Sequence, residues 1–406
     1  MPEAVIVSTA RSPIGRAMKG SLKDIRPDDL TVQMVAAALA KVPELDPLDI
    51  DDLLLGCGLP GGMQGNNLAR IVAVLLGYDS LPGTTITRYC SSSLQTTRMA
   101  LHAIKAGEGD VFISAGVESV SSFVHGNSDS LPASHNPHFA DAEARTKKAQ
   151  EEGADSWTDP RESGELPDAY IAMGQTAENV ALLTGIGREE QDHWGVRSQN
   201  RAEEAIASGF FEREITPVTL PDGTVVSTDD GPRAGTTYDK ISQLKPVFRP
   251  NGTITAGNAC PLNDGAAALV IMSDTKAKAL GLTPLARIVS TGVTGTSPEI
   301  MGLGPIEATR RALAIAGMSI SDIDLFEINE AFAVQVLGSA RDLGIDHDKL
   351  NVSGGAIAVG HPFGMTGARI TTTLLNNLQT QDKTFGVETM CVGGGMGMAM
   401  VLERLS

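Results

Sequence analysis

The chain has 406 residues, of which 42% are hydrophobic, and it carries a formal net charge of −17. A chain of this length exceeds one ordinary hydrophobic core, so we expect two or more packed domains. The negative charge argues against nucleic acid and anionic membrane surfaces as partners, because like charges repel at long range.

The sequence also predicts a cytoplasmic protein. No segment approaches the run of about 18 apolar residues that spans a bilayer, so we expect no membrane insertion. The N-terminal segment lacks the charged and apolar regions of a secretory signal peptide. Four cysteines, Cys57, Cys90, Cys260 and Cys391, lie far apart in the chain. This spacing favours reduced thiols over a disulfide framework.

Short apolar segments alternate with amphipathic helical ones from the N-terminus onward. In chain order, the pattern predicts a strand at 5–9, a helix at 28–42, a strand at 53–55, a helix at 66–76, a strand at 84–87 and a helix at 91–106. Gly107 follows the last helix, and glycine is common at that position because it adopts the left-handed conformation. The alternation is typical of an α/β protein.

Part of this order recurs late in the chain. The segment ARIVSTG at 286–292 is similar to AVIVSTA at 4–10, and DIDLFEI at 322–328 is similar to DIDDLLL at 49–55. Two matches in the same order, at nearly the same offset, predict a duplicated α/β unit. We therefore expect two similar domains.

Between these halves lies a polar insertion. It contains helical patterns at 174–184 and 187–208 and a turn signal at 221–223, and long insertions commonly carry binding function. We predict three parts: an N-terminal domain at 1–123 that is completed by about 251–283, a loop domain at 124–250, and a C-terminal domain at 284–406.

Cys90 is the first candidate for chemistry. It stands where an extended segment ends and the helix at 91–106 begins. The unpaired amides of a helix N-terminus favour a thiolate, so we expect a Cys90 pKa below the usual value of about 8.5. The simpler alternative is a small buried residue at the end of a strand.

Three further residues are candidates on similar grounds. His361 lies in a glycine-rich segment that is able to hold a base against a ligand, although a loop histidine with a satisfied hydrogen bond is the alternative. Cys391 precedes glycines, including Gly393, whose amides are able to face an oxyanion; the alternative is a core thiol. Asn329 follows a strand and either holds a water or carbonyl or caps the next helix.

Two other groups of residues have weaker signals. The methionines Met173, Met365, Met396 and Met398 either line an acyl tunnel or fill the core. The histidines His125, His135 and His138 cluster in the insertion, but no cysteine or acidic pattern supplies further ligands. We therefore expect no metal site.

Taken together, four segments resemble the thiolase family. They are RYCSSSLQ at 88–95, NEAF at 329–332, GGAIAVGHPFGMTGAR at 354–369 and CVGGGMG at 391–397. The similarity runs from Glu3 to the C-terminus, and four motifs in the same order make chance similarity very improbable.

The resemblance implies a five-layered αβαβα fold of two similar domains, with the insertion as a loop domain that covers coenzyme A. It also implies roles in catalysis. His361 takes the proton of Cys90, which attacks a 3-ketoacyl-CoA, and Cys391 exchanges protons with acetyl-CoA and with the incoming coenzyme A thiol. The amides of Cys90 and Gly393 would stabilise the oxyanion of the transferred acyl group. His361 and a water held by Asn329 would stabilise the oxyanion of the acetyl thioester.

For coenzyme A, the segment 229–267 resembles the binding loop of the family. The implied contacts are Arg233 against the adenine, Phe248, Ala256 and Met173 along the pantetheine, Phe332 of the NEAF segment, and Cys260 at a position where the family usually has serine. Coenzyme A is a co-substrate in this scheme, no permanently bound cofactor is expected, and homodimers or homotetramers are implied.

Two departures from the family pattern bear on the interpretation. Ser93 replaces a usual glycine, and Ala172 stands where short-chain members have histidine. The smaller Ala172 favours longer acyl chains and hence a degradative 3-ketoacyl-CoA thiolase. The alternatives are a biosynthetic thiolase that forms acetoacetyl-CoA and a non-catalytic acyl-CoA carrier. A ketoacyl synthase is disfavoured because Cys391 occupies a position where that class needs histidine or asparagine.

Overall fold

The computed structural model describes residues 2–129 and 133–406. The strands are β1 Ala4–Arg11, β2 Gly15–Arg16, β3 Asp52–Cys57, β4 Gly83–Ile86, β5 Val111–Ser119, β6 Val218–Thr219, β7 Val225–Val226, β8 Asn263–Ser273, β9 Ala286–Gly295, β10 Leu325–Ile328, β11 Phe385–Val392 and β12 Met396–Arg404. The helices are α1 Pro27–Ala40, α2 Leu68–Leu75, α3 Ser92–Ala106, α4 Ala140–Glu152, α5 Met173–Thr184, α6 Arg188–Ala207, α7 Tyr238–Ile241, α8 Asp274–Ala279, α9 Gly304–Ala316, α10 Ala333–Leu343, α11 Ala356–Val359 and α12 Thr366–Thr380.

The main strands form one continuous sheet in the order β10, β11, β12, β9, β1, β8, β5, β3, β4. Two short antiparallel pairings join its halves, Val5 with Arg287 and Ile6 with Ala286. Parallel pairs, such as β3 with β5 and β10 with β11, lie beside antiparallel ones. Every residue of β5 and β8 is buried, as expected for strands covered on both faces. The predicted α/β class is confirmed.

The two halves of the sheet repeat one plan. The first half has the order β1, β8, β5, β3, and the second has the order β9, β12, β11, β10. In each half one helix, α1 or α9, precedes the outer strand, and another, α3 or α12, leads into the next strand. The two similar segment pairs in the sequence fall on β1 with β9 and on β3 with β10, so the predicted duplication is confirmed.

Three hydrophobic clusters separate five layers. The first packs α1 and α2 on the outer face of the first half, with Met34 and Leu55 among its members. The central cluster joins both halves through α3 and α12, which contribute Leu101 and Leu374. The third packs α9 and α10 on the outer face of the second half. This is the expected αβαβα order, because each helix buries one apolar stripe against a sheet face.

The insertion contains the predicted helices as α5 and α6 and the predicted hairpin as β6 and β7, which pair antiparallel around the turn. The structure adds α4, which lies in the polar part of the insertion where the sequence analysis predicted no helix. Only Ala142 of this helix is buried, so its stability comes from strong helix formers and from pairs such as Lys147 with Glu151. No helix in the described ranges is both long and apolar enough to cross a membrane.

Candidate active site

Cys90 lies in a single helical turn that joins β4 to α3. The preceding Tyr89 has a positive φ of 44°, a strained conformation for a bulky residue that often marks a functional site. The Ser92 hydroxyl donates to the Tyr89 carbonyl and accepts from the Arg88 amide. The turn is thereby fixed, and it leaves Cys90 buried with 8% of its surface exposed.

The expected low pKa of Cys90 is wrong. Burial raises the pKa of the Cys90 thiol to about 12, and the charge of Glu118 raises it further. Hydrogen bonds from backbone amides act in the opposite direction but do not outweigh burial. The reason is that desolvation disfavours a thiolate more strongly than the helix amides favour it. Cys90 is therefore a neutral thiol at rest and needs a base.

Two backbone amides meet at the Cys90 sulfur. They are the N–H of Cys90 itself and the N–H of Gly393, and both lower the pKa of the thiol. Gly393 lies in the turn between β11 and β12, two residues after Cys391. Paired amides of this kind are able to stabilise negative charge that develops beside the sulfur.

His361 lies between α11 and α12 and is fully buried. Its backbone amide donates to the Asn263 side chain, and its Nδ1 lies 2.7 Å from Oγ1 of Thr366. The Thr366 hydroxyl donates its proton to the Pro362 carbonyl, so its oxygen must accept a proton from His361. Nδ1 therefore carries the hydrogen, and Nε2 has a free lone pair.

The electrostatic surroundings keep this imidazole neutral. Burial lowers the pKa of His361 to about 3, and the nearby Arg369 lowers it further. A neutral imidazole with a free Nε2 is the form that is able to accept a proton.

Asn329 directly follows β10 and lies beside the histidine. Its Nδ2 is 3.3 Å from Nε2 and 3.4 Å from Nδ1 of His361, so it is not aligned with a single lone pair. Its Oδ1 is buried and has no hydrogen-bond partner among the described residues. The alternative role as a helix cap is wrong, because α10 begins after Phe332 and has no side-chain cap.

Cys391 lies near the end of β11 and is fully buried. Burial raises its pKa, and electrostatic interaction with the Cys90 and Cys260 thiols contributes to the same shift, because neighbouring thiolates would repel each other. Three of the four cysteines are thus close enough to interact electrostatically. Because each is protonated, each is able to give up a proton only to a suitably placed base.

Glycines allow the backbone segments around the site to meet. A Cβ on Gly116 of β5 would collide with the carbonyl oxygen of Gly364, and a Cβ on Gly364 would collide with that of Val117. Ser93, the departure from the family pattern, accepts a hydrogen bond from the Ala368 amide at 2.9 Å. It therefore ties α3 to α12, the two central helices that begin next to Cys90 and His361.

Glu118 holds the same backbone segments together through its carboxylate. This fully buried carboxylate accepts hydrogen bonds from the amides of Gly58 and Leu59, from the Gln64 side chain and from the amide of Gly364. Burial raises its pKa, while these donors lower it. Glu118 therefore connects the loop after β3 with the loop that follows His361.

A cavity of about 430 Å³ opens onto Cys90 and Gly393. Met173 and Phe363 line its walls, together with other residues of the insertion such as Asp129 and Tyr170. Ala172, which suggested a longer chain, is exposed and does not line this cavity. The inference from Ala172 to longer acyl chains therefore stays a prediction.

The residues assigned to coenzyme A fall into two groups. Phe248 and Phe332 stack edge to face at 6.3 Å, and Met173 packs against the same cluster. The backbone of Cys260 donates to Ala331, next to Phe332. Cys391 belongs to the same large hydrophobic cluster as Phe332, and Cys260 is close enough to Cys391 to contribute to the raised pKa of Cys391.

The other two residues lie further out. The Arg233 amide donates to the Gln199 side chain of α6. Arg233 is exposed, and partial burial of its guanidinium together with the charge of Arg16 lowers its pKa. Ala256 is exposed in a turn before β8. The contacts of both with coenzyme A stay predictions.

Sequence reasoning missed Thr366, Glu118 and Tyr89. Thr366 lies five residues after His361, at the start of α12, and this spacing gave no signal. Glu118 stands out as an acidic residue inside a continuous buried strand. Tyr89 gave no signal beyond its position next to Cys90.

Two family models match this chain. The model for the thiolase N-terminal domain matches residues 4–275, and the model for the thiolase C-terminal domain matches residues 282–404. The chain therefore belongs to the thiolase family and is an acyltransferase.

Individual relatives agree over the full length. The chain is 43% identical to the 3-ketoacyl-CoA thiolase of Bacillus subtilis (strain 168), covering 99% of this chain and 100% of the relative. It is 44% identical to the 3-oxoadipyl-CoA/3-oxo-5,6-dehydrosuberyl-CoA thiolase of Escherichia coli (strain K12), covering 100% of each. A crystal structure of the Bacillus anthracis acetyl-CoA acetyltransferase matches with a TM-score of 0.85 and 39% identity, covering 100% of this chain and 99% of that one.

Proposed function

We propose that the protein is a 3-ketoacyl-CoA thiolase, which cleaves 3-ketoacyl-CoA with coenzyme A to acetyl-CoA and a shortened acyl-CoA. The proposal rests on one observation: the Cys90 sulfur interacts with the Gly393 amide, and both residues line a cavity. Cys391 is close enough to Cys90 to interact with it electrostatically. The names of the full-length relatives support the substrate class.

In the first half-reaction, Nε2 of His361 accepts the proton of the Cys90 thiol. The thiolate attacks the ketone carbon, and the bond between the second and third carbons of the acyl chain breaks. Cys391 then protonates the acetyl-CoA carbanion, which its buried neutral thiol is suited to do. The acyl group remains on Cys90 as a thioester.

In the second half-reaction, the Cys391 thiolate takes the proton of the coenzyme A thiol. The new thiolate attacks the acyl-Cys90 carbonyl, and the shortened acyl-CoA leaves. Cys90 departs as a thiolate and recovers its proton from His361. All protons return to their starting positions, so the cycle needs no permanently bound cofactor.

The proposed mechanism includes two oxyanion sites. The amides of Cys90 and Gly393 would stabilise the oxyanion on the transferred acyl group, since both already meet the Cys90 sulfur. The oxyanion of the acetyl thioester would bind near His361, with a water held by Asn329. The unpartnered Oδ1 of Asn329 supports that role.

Coenzyme A would approach along Phe248, Phe332, Met173 and Cys260, with Arg233 near the adenine and Ala256 at the edge of the channel. The apolar cluster suits a pantetheine chain. Cys260 keeps the position of the usual serine but offers a weaker hydrogen-bond donor.

We further propose a homodimer or homotetramer that acts in the cytoplasm in fatty acid β-oxidation. The edge strand β4 and the exposed Val74 and Leu75 of neighbouring α2 support an interface between copies. The four free cysteines support a reducing compartment.

The test is thiolysis of 3-ketoacyl-CoA by the wild type and by Cys90→Ser. Turnover should fall by at least about 1,000-fold in the variant while acyl-CoA still binds, because serine is a far weaker nucleophile with this base. Cys57→Ala alters a buried cysteine outside the proposed chemistry and should keep turnover. Unchanged turnover in Cys90→Ser would contradict the proposal, and binding without turnover in the wild type would indicate an acyl-CoA carrier.

A further inference from the structure

The cavity at Cys90 has both apolar and polar lining residues. Leu59, Met173 and Phe363 are apolar, whereas residues of the insertion bring polar groups to its wall. Those groups include the side chains of Asp129, His135 and Tyr170, and Tyr89 lines the same cavity. An acyl chain attached to Cys90 would share the cavity with these groups.

Two hydroxyl groups in this cavity have unused hydrogen-bonding capacity. Tyr89 is 39% exposed, and its hydroxyl has no hydrogen-bond partner in the ranges 2–129 and 133–406. The Tyr170 oxygen accepts from the Asn136 amide at 2.9 Å, but its proton has no acceptor in those ranges. Tyr170 is fixed by stacking on His135, with ring centroids 4.0 Å apart. Both tyrosines are therefore placed to bind a polar group.

The charge of the described lining residues is negative. Asp129 lines the cavity, and neither lysine nor arginine is among the described lining residues. Nδ1 of His135 lies 2.9 Å from the Glu143 carboxylate, which offsets any positive charge on the ring. Burial raises the pKa of Tyr89, and the charge of Asp129 raises it further, so the carboxylate lies within electrostatic range of the Tyr89 hydroxyl. A chain ending in a carboxylate would meet repulsion without a compensating cation.

We infer that this cavity holds the acyl chain of the substrate. It selects uncharged acyl chains that end in a hydroxyl over acyl chains that end in a carboxylate. The Tyr89 hydroxyl donates to the chain's hydroxyl, and Asp129 accepts its proton. This inference rests on the proposed transfer of the acyl group to Cys90. It sets the chain apart from the 44% identical relative that is named for 3-oxoadipyl-CoA.

The test compares three substrates of equal chain length: 3-ketooctanoyl-CoA, 8-hydroxy-3-ketooctanoyl-CoA and 3-ketosuberyl-CoA. Thiolysis by the wild-type enzyme should give the highest kcat/KM for 8-hydroxy-3-ketooctanoyl-CoA, the hydroxylated substrate. For the dicarboxylic 3-ketosuberyl-CoA, kcat/KM should be about tenfold or more below that of 3-ketooctanoyl-CoA, the plain chain, as expected for one uncompensated charge. Equal or higher kcat/KM for 3-ketosuberyl-CoA overturns the inference. No turnover of any of the three would instead overturn the proposed function.

Two variants locate the selection. Tyr89→Phe should reduce kcat/KM about 3- to 10-fold more for the hydroxylated substrate than for the plain chain, because only the hydroxylated chain loses a hydrogen bond. Asp129→Asn should bring 3-ketosuberyl-CoA closer to the plain chain, while Asp141→Asn, on the exposed start of α4, should leave that ratio unchanged. Equal losses on both chains in Tyr89→Phe, or an unchanged ratio in Asp129→Asn, would contradict the inference.

Discussion

The clearest prediction from the site concerns Thr366, which fixes the position of the proton on His361. Replacing Thr366 with valine keeps the shape of the side chain but removes the oxygen that accepts the Nδ1 proton at 2.7 Å. The imidazole is buried, so an unpaired Nδ1–H would find no water. The ring therefore shifts its proton to Nε2, and the nitrogen that should accept the Cys90 proton becomes occupied.

The size of the effect follows from the cost of that unpaired donor. A buried polar group without a partner costs about 1–3 kcal/mol, which corresponds to about 5- to 150-fold in the population of the competent tautomer. We expect kcat for thiolysis to fall by that factor. KM should change little, because Thr366 does not line the cavity.

The assay is steady-state thiolysis with thermal unfolding measured in parallel. Thr366→Ser keeps the hydroxyl and should retain most of the activity, while Thr366→Val should lose it without unfolding at the assay temperature. If Thr366→Val keeps kcat within about twofold of the wild type, the assigned tautomer is wrong.

Three further predictions concern the surroundings of the site. Gly364→Ala should lose activity because the added Cβ collides with backbone, whereas Gly187→Ala should keep it because that glycine has open space around it. Equal activity of the two variants would contradict the close contact between the Gly364 loop and β5. Glu118→Gln removes a charge that raises the pKa of Cys90, so the pH midpoint of Cys90 alkylation by iodoacetamide should move down, and an upward shift would refute this. Burial raises the pKa of Glu388 from 4.5 to about 8, so between these pH values the unfolded chain releases a proton that the folded protein retains, and stability falls as pH rises. In urea unfolding, Glu388→Gln should reduce this fall, and an unchanged dependence of the unfolding free energy on pH would contradict the prediction.

The sequence predicts the architecture well because its signals are local. Alternating strands and helices, the similar segments at β1 and β9, and the helices α5 and α6 all follow from periodicity within short windows. α4 escaped prediction because its segment buries almost nothing, and polarity alone does not separate a solvated helix from a loop.

The site is predictable only in part, because the remaining features depend on tertiary contacts. Motifs single out Cys90, His361 and Cys391, but the direction of the Cys90 pKa shift depends on burial, which outweighs the helix amides. The role of Thr366 follows from the competing acceptor at Pro362. Such properties arise from contacts that spacing in the sequence does not encode.

The most direct test of the account is to identify the residue that carries the acyl group. The enzyme is mixed with 3-ketooctanoyl-CoA in the absence of coenzyme A, quenched in acid, digested and mapped by mass spectrometry. We predict a hexanoyl adduct on the peptide containing Cys90, which disappears when coenzyme A is added before the quench. An adduct on Cys391 or Cys260 instead, or an adduct on Cys90 that coenzyme A does not remove, would contradict the account.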